Sequence, residues 1–102
     1  MKKILNVGLC KGRHEIPGIN SFIFGQEIAP NLLVNTSKLE LLAREELIKL
    51  DCSNLAALKI YATGLTVALL AVINAAKRLG IPSITVMHYD RDTGNYFAQE
   101  VV

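Results

Sequence analysis

The sequence predicts one small α/β domain whose sheet is mostly parallel and closes with an antiparallel C-terminal hairpin strand. Apolar segments rich in strand-forming residues begin near Lys3, Leu58 and Ser83. Two longer segments with helical patterns lie between these strands and begin near Ser37 and Thr66. Alternation of strands and helices is typical of parallel βαβ units. A turn signal over residues 92–95 then predicts a return strand over residues 96–102.

Length and composition limit the classes to which this chain can belong. A chain of 102 residues makes one domain, residues 1–102, with room for a core but not for two lobes. Hydrophobic residues make up 51% and charged residues 20%, so surplus apolar surface is expected to drive self-association. The net charge is +2 and the basic residues are scattered, which argues against binding to duplex nucleic acid.

The absence of a targeting pattern predicts a cytoplasmic protein with no membrane partner. No apolar run is as long as a membrane span, and the start at Met1 leads into a segment too short for the apolar part of a signal peptide. Cys10 and Cys52 fit a reduced compartment, where cysteines are most often small buried apolar residues. Cys10 and His14 could form half of a metal site, but no second pair completes it, so no metal is predicted.

The first strand-like segment, KILNVGL over residues 3–9, predicts a central strand buried on both faces, because it has few polar interruptions. Glycine and charged residues then mark a loop over residues 10–15. If this strand is parallel to the one that ends at Thr63, then Lys11, Arg13 and His14 reach the same edge of the sheet. These potential cations would face an anion site there, although such a cluster is also common in a solvated loop.

The middle of the chain predicts small elements and one covering helix. A turn over residues 16–18 precedes a short strand or extended arm over residues 19–24, and residues 32–34 predict a very short strand. Ser37 and Glu40 have the spacing of a capping box, with Ser37 as the N-cap of a helix that runs to about Leu50. The charges of this helix are interpreted as surface charges.

The predicted functional centre is the segment TGLT, residues 63–66. Gly64 allows a sharp turn after a strand, and a helix follows that Thr63 or Thr66 could cap and that ends at Gly80. In an open α/β sheet such a turn faces the ligand crevice, and the first N–H groups of the helix can hold an anion such as phosphate. TGLT lacks the spaced glycines of a dinucleotide motif or P-loop, so a plain connecting turn is the alternative.

The helix over residues 67–79 is apolar on nearly every side, with Asn74, Lys77 and Arg78 as its only polar positions. A helix of this kind is usually buried between two layers. In so small a domain one layer can be the sheet and the other a second copy of the protein. The sequence therefore predicts a homodimer.

The third strand, SITVMHY over residues 83–89, leads to further polar residues at the same edge. A right-handed parallel crossover places His88, Tyr89 and Arg91 beside TGLT and the basic loop. Tyr89 and Arg91 are candidate ligand-binding residues and His88 a candidate catalytic residue, although His88 is equally compatible with a half-buried strand position.

The segments TGLT with its following helix, GIPSITVMHYD and the closing GNYFAQEV together resemble the small CRISPR-associated ring nucleases with CARF-like domains. The resemblance covers residues 58–102 together with the first strand and its loop, and it is one of architecture and short motifs. It implies a Rossmann-like half-domain that dimerises and binds cyclic oligoadenylate. Residues 16–35 match nothing in that group, so a phage-encoded relative that captures the messenger is an alternative.

The resemblance also implies a chemistry in antiviral defence. Members of the group hold the cyclic messenger across the dimer two-fold axis, and some cleave it without a metal or other cofactor. The attack of a ribose 2′-OH on the adjacent phosphorus leaves a 2′,3′-cyclic phosphate. A protein that only binds the messenger fits the sequence nearly as well, because no residue of the chain must be the catalyst. An interaction module with no small ligand is the third class.

The residues that the resemblance assigns fall into two sets. The phosphate-binding turn would comprise Thr63, Gly64, Leu65 and Thr66. The basic loop would comprise Lys11, Arg13 and His14, and Cys10 and Gly12 of the same loop are further candidate ligand-binding residues. Within these sets, Arg13 and His14 join His88 as candidate catalytic residues.

Overall fold

In the computed structural model, which describes residues 3–11, 18–19, 21–50, 55–62 and 65–102, the chain forms one sheet with helices packed on it. In chain order the elements are β1 (Lys3–Gly8), β2 (Ser21–Phe22), α1 (Pro30–Leu33), α2 (Thr36–Lys49), β3 (Leu55–Tyr61), α3 (Thr66–Arg78), β4 (Ile84–Asp90) and β5 (Asn95–Glu100). The sheet order is β2-β1-β3-β4-β5. Neighbouring strands are parallel except β4 and β5, which form an antiparallel hairpin. The predicted fold class is confirmed.

The core lies between the sheet and helices α2 and α3. Alternate strand residues face the helices because the side-chain period of a strand is two. On β1, β3 and β4 these are Leu5, Val7, Leu58, Ile60, Ile84 and Val86, all buried. The helices contribute Ala43, Leu47, Ala68, Val72, Ala75 and Ala76. The alanines let the helix backbones approach the sheet closely, and α2 and α3 also pack against each other.

The other side of the sheet, called the open face below, carries the alternating residues that point away from the helices. No helix among the described residues covers it, and Ile4 and Tyr89 on this side are 54% and 49% exposed. The prediction that the first strand is buried on both faces is therefore wrong. Both α2 and α3 connect strands in the same direction across the sheet, and right-handed crossovers then place both helices on one face.

Helix α2 begins two residues earlier than the capping box predicted. Asn35 is the N-cap, and its side-chain Oδ1 accepts a hydrogen bond from the backbone N–H of Lys38 at 3.2 Å. The assignment of Ser37 as the cap is therefore wrong. Asparagine is at least as good a cap as serine, and Asn35 is the residue at which the backbone is not yet helical. The charged residues of α2 include Lys49, whose Nζ lies 3.9 Å from Oε2 of Glu46 at the surface.

Helix α3 ends at its predicted position. Gly80 has a φ of +76°, the left-handed conformation that glycine adopts without penalty after the last helical turn. The second layer predicted for this helix lies at least partly within the chain, because α2 packs against it and Arg78 Nε lies 2.8 Å from Glu40 Oε2. Val67 and Leu70 remain exposed at 40% and 53%.

The segment between β1 and α2 differs from its prediction in two places. Within the predicted strand over residues 19–24, Ser21–Phe22 forms the short strand β2, which lies parallel to β1 at the edge of the sheet. Residues 32–34 do not form a strand, because Pro30 starts the short helix α1, where its fixed φ suits the first helical turn. None of the described helices is long and apolar enough to span a membrane.

Gly8 is needed because the ring of Phe22 fills the space beside it. A Cβ at Gly8 would lie 2.7 Å from both Cδ1 and Cε1 of that ring. Gly8→Ala is therefore expected to lower the free energy of unfolding in urea by about 1–3 kcal/mol, the usual cost of overpacking. In a Phe22→Ala background the same change should cost much less. An equal cost in both backgrounds would contradict this contact.

Candidate functional site at the carboxyl edge

The carboxyl ends of the parallel strands β1, β3 and β4 meet at one edge of the sheet, called the carboxyl edge below. Lys11 follows β1, Ala62 follows β3 and Arg91 follows β4, while α3 begins at Thr66 just after β3. The N–H of Ala62 donates to the carbonyl of Met87 at 3.0 Å, which holds the ends of β3 and β4 together. In open α/β sheets this edge is where ligands bind.

Backbone hydrogen bonds fix the segment after β1. The N–H of Lys11 donates to the carbonyl of Gly25 at 2.8 Å, and the N–H of Phe24 donates to the carbonyl of Leu9 at 2.8 Å. Lys11 is exposed, and the free thiol of Cys10 is half-buried. The backbone around Lys11 is thus held while its ammonium group is open to solvent.

Helix α3 presents its N-terminus at this edge. Leu65 is the N-cap, and its apolar side chain offers no acceptor to the first turn. Leu65 contributes its carbonyl, which accepts from the N–H of Leu69 at 2.9 Å. The N–H groups of the first turn have no partner within the helix itself and carry partial positive charge. Thr66 is exposed there, so its hydroxyl adds a further hydrogen-bonding group.

Three tyrosines, Tyr61, Tyr89 and Tyr96, cluster on the open face next to the carboxyl edge. The ring centroids of Tyr61 and Tyr96 are 5.0 Å apart with an interplanar angle of 77°, and those of Tyr89 and Tyr96 are 5.3 Å apart at 61°. Both pairs are edge-to-face contacts, the arrangement that aromatic quadrupoles prefer. Tyr61 and Tyr96 were not among the predicted site residues. The hairpin turn could have indicated Tyr96, because it sets Tyr89 opposite Tyr96.

Burial raises the pKa of Tyr96 above its ordinary value of 10.0, and the neighbouring phenols of Tyr89 and Tyr61 raise it further. Since a raised pKa means that the folded state favours the protonated phenol, the associated stability is complete below pH 10 and is lost as the pH rises through the folded pKa. At physiological pH the phenol of Tyr96 is therefore protonated and neutral.

Tyr96→Phe is expected to change the alkaline titration of the protein. In the wild type, one tyrosine should form phenolate at a higher pH than free tyrosine, and this component of the ultraviolet absorbance should be missing from the variant. The loss of stability above pH 10 should also be shallower in the variant, since phenylalanine cannot ionise. Titration curves that differ only by the removal of an ordinary tyrosine would contradict the raised pKa.

The loop between β4 and β5 is organised by Asp90. Its carboxylate accepts from the backbone N–H of Asp92 and from the hydroxyl of Thr93, both at 3.0 Å. Its carbonyl accepts from the N–H of Gly94 at 2.8 Å. This loop also carries Arg91, which is exposed and follows Tyr89 and Asp90 in the chain. The predicted hairpin turn is thus confirmed.

His88 lies at the carboxyl edge but on the helix side of the sheet, opposite to the face that carries Tyr89. Its Nε2 is 2.8 Å from Oε1 of Gln99, and its ring stacks on Phe97 with centroids 5.2 Å apart. These contacts are those of a half-buried strand residue, the alternative given for His88 above. Its orientation separates it from the tyrosine cluster.

The other predicted site residues, Gly12, Arg13, His14, Thr63 and Gly64, lie outside the described residues. Within the described part of the chain, Lys11, Leu65, Thr66, Tyr89 and Arg91 belong to elements that end or begin at the carboxyl edge, as predicted. No group of three His, Cys, Asp or Glu side chains in that part could hold a metal ion.

A groove of about 190 Å³ lies away from these residues, between α2 and the segment that joins β2 to α1. It is lined by Ile23, Phe24, Glu27, Ile28, Leu32, Leu42, Glu45, Glu46 and Lys49. Its volume is below the roughly 300–1,000 Å³ that is usual for small-molecule sites. The carboxyl edge therefore remains the stronger candidate.

Comparison of the chain with protein-family models, with curated proteins and with solved structures finds no match.

Proposed function

We propose that this protein binds a cyclic oligoadenylate messenger at the carboxyl edge in the cytoplasm and cleaves it as a ring nuclease, damping type III CRISPR signalling. The observation that carries the proposal is that one edge of the sheet holds the tyrosine cluster on the open face, the N-terminus of α3 on the helix side, and two exposed cations, Lys11 and Arg91. An oligoadenylate needs both kinds of contact, because it consists of flat bases joined by phosphates.

The bases are the first requirement. Tyr89 is 49% exposed and is held by its edge-to-face contact with Tyr96, so its ring can stack on an adenine with little loss of side-chain freedom. Stacking on an aromatic side chain contributes about 1–3 kcal/mol per base. The raised pKa of Tyr96 suits this role, since an ionised phenol would repel the phosphates nearby.

The phosphates are the second requirement. The first-turn N–H groups of α3 and the hydroxyl of Thr66 can donate to phosphate oxygens, as helix N-termini commonly do. Lys11 and Arg91 follow β1 and β4, the two strands that flank β3 in the sheet, and supply positive charge at the same edge. A charge-assisted hydrogen bond from either cation is about twice as strong as a neutral one.

The chemistry we propose is transfer of the phosphoryl group within the ribose. The 2′-oxygen forms a bond to the adjacent phosphorus while the bond from phosphorus to the 5′-oxygen of the next nucleotide breaks. The 2′-hydroxyl proton leaves to a base, and the 5′-oxygen gains a proton. The protein accelerates the step by aligning these atoms and stabilising the more negative transition state. Arg13 and His14 are the proposed groups for charge stabilisation and proton transfer.

A non-catalytic protein that sequesters the messenger is the second candidate, and the position of His88 favours it. His88 is the histidine within the described residues, and its ring is already engaged by Gln99 and Phe97. Lys11, Thr66 and Arg91, which carry exposed polar groups at the edge, act as binding groups in this proposal. Cleavage therefore requires a residue such as His14.

Incubation of the protein with cyclic tri-, tetra- and hexa-adenylate, followed by chromatography, separates the candidates. Loss of a ring with formation of a linear 2′,3′-cyclic phosphate supports the nuclease, and stoichiometric retention without loss supports sequestration. No interaction with any ring would refute both. Tyr89→Ala should weaken binding about fivefold to a hundredfold. Arg44→Ala, an exposed change on α2, is the control that should leave binding unchanged.

A further inference from the structure

We propose that the open face is the surface on which a second copy of this chain packs, sheet on sheet, about a two-fold axis parallel to β4. This inference names the partner and the surface, and it does not depend on the ligand proposed above. It also differs from a dimer formed through α3, which already packs against α2.

It is unusual for a sheet of this kind that the described helices leave one face uncovered. Sheets built from parallel strands normally have both faces covered, because helices or other layers pack on each side. Here the described helices cover one face, while Tyr61, Met87 and Tyr89 on β3 and β4 contribute apolar surface to the other. Tyr61 and Met87 are only half-buried, so further burial of this face is favourable.

The strand register sets the residues of the open face into two central rows. One row runs across β3, β4 and β5 as Lys59, Thr85 and Glu100. The next row, nearer the carboxyl edge, runs as Tyr61, Met87 and Ala98. In the first row, the positive Lys59 on β3 is matched by the negative Glu100 on β5. In the next row, the large Tyr61 on β3 is matched by the small Ala98 on β5.

This arrangement makes the face complementary to itself. Rotation by 180° about an axis parallel to β4 and above it places β3 of one copy over β5 of the other, with no shift along the strands. Lys59 then faces Glu100 of the second copy, and Tyr61 faces Ala98 of the second copy. Each contact occurs twice, as in any isologous interface. Packed sheets lie about 10 Å apart, a gap that a lysine and a glutamate side chain can span together.

The charges of the open face favour a second copy over other occupants. Lys59 and Glu100 cancel within one row, so the face lacks the positive groove that a single-stranded nucleic acid requires. A two-fold axis above β3 instead of β4 would set Lys59 against Lys59 of the second copy. The axis parallel to β4 avoids this repulsion.

The proposed axis also orients the candidate site. Because the axis runs along the strands, the carboxyl edges of both copies lie at the same end of the dimer. Tyr89 is on β4 and therefore comes next to its own counterpart at that end. A two-fold symmetric ring could contact both copies there.

Charge reversal tests the interface without any ligand. The wild type should sediment as a dimer at micromolar concentration, and Lys59→Glu and Glu100→Lys should each raise the dimer dissociation constant about tenfold or more, since each creates two like-charge contacts. An equimolar mixture of the two single variants should regain the wild-type affinity, because both contacts between unlike copies are then attractive. The double variant should regain it as well.

The control uses another ion pair, one that lies within a single copy of the chain and away from the open face. Arg78→Glu and Glu40→Arg reverse the ion pair between α3 and α2, on the helix side, and should not change the dissociation constant. Circular dichroism establishes that each variant is folded. A wild type that stays monomeric, or a mixture that fails to associate while its components are folded, overturns the proposal. If a single variant fails to fold, Lys59→Gln and Glu100→Gln replace the reversals, and unchanged association in both would overturn it equally.

Discussion

Leu58→Ala is expected to lower the free energy of unfolding by about 2–5 kcal/mol, the range for truncating a fully buried leucine. Leu58 has no solvent exposure, stands between Leu5 and Ile84 in the register of the sheet, and faces the helices. The change leaves a cavity that rigid neighbouring strands fill poorly. Since domains of this size have a total stability of about 5–15 kcal/mol, denaturation in urea would show the loss clearly.

Leu70→Ala is the matched control for this prediction. It makes the same chemical change on α3, where Leu70 is 53% exposed, and leucine and alanine both favour helix. Its cost should stay below about 1 kcal/mol, in line with other surface substitutions. Similar costs at the two positions would mean that the core does not lie between the sheet and the helices.

His14→Ala is expected to slow cleavage of a cyclic oligoadenylate about a hundredfold or more, while its dissociation constant changes little. A group that assists proton transfer acts mainly in the transition state, so its removal affects the rate far more than ground-state binding. Single-turnover cleavage and calorimetry measure the two quantities separately. His14 lies outside the described residues, and its role is drawn from the resemblance alone.

His88→Ala serves as the comparison for His14. The ring of His88 is engaged by Gln99 and Phe97, so its loss should change the cleavage rate less than the loss of His14 does. Unchanged cleavage in His14→Ala would remove that residue from the mechanism. A large rate loss confined to His88→Ala would transfer the role to the helix side.

The order of strands and helices could be predicted from the sequence because each element carries its own local pattern. The apolar segment that begins near Ser83 has the period and composition of a strand, and Gly80 ends the preceding helix by local backbone preference. The hairpin followed from its turn residues. Each of these patterns involves only a few neighbouring residues, so the element can be predicted without knowledge of the tertiary structure.

Other features required tertiary information. Whether Ile4 is buried depends on the face of the sheet on which the crossovers place the helices. That face depends in turn on the position of β2, and a strand of two residues leaves almost no pattern in the sequence. The contact between Tyr61 and Tyr96 depends on the parallel register of β3 and β4. Asn35 displaced Ser37 as a cap because both residues have the required side chain and only the backbone path distinguishes them.

The strand register also has a consequence for the rate of folding. The β4–β5 hairpin joins Asp90 to Asn95, whereas the β1–β3 pair joins Lys3 to Leu55 across much of the chain. A hairpin forms in about 1–10 μs, but pairing of distant strands must first overcome the entropy of closing a long loop. The Tyr89–Tyr96 contact can therefore form early, and Tyr61 joins it only when β3 docks. Assembly of the three-ring cluster thus reports a late step of folding, which refolding monitored by tyrosine fluorescence would resolve in time.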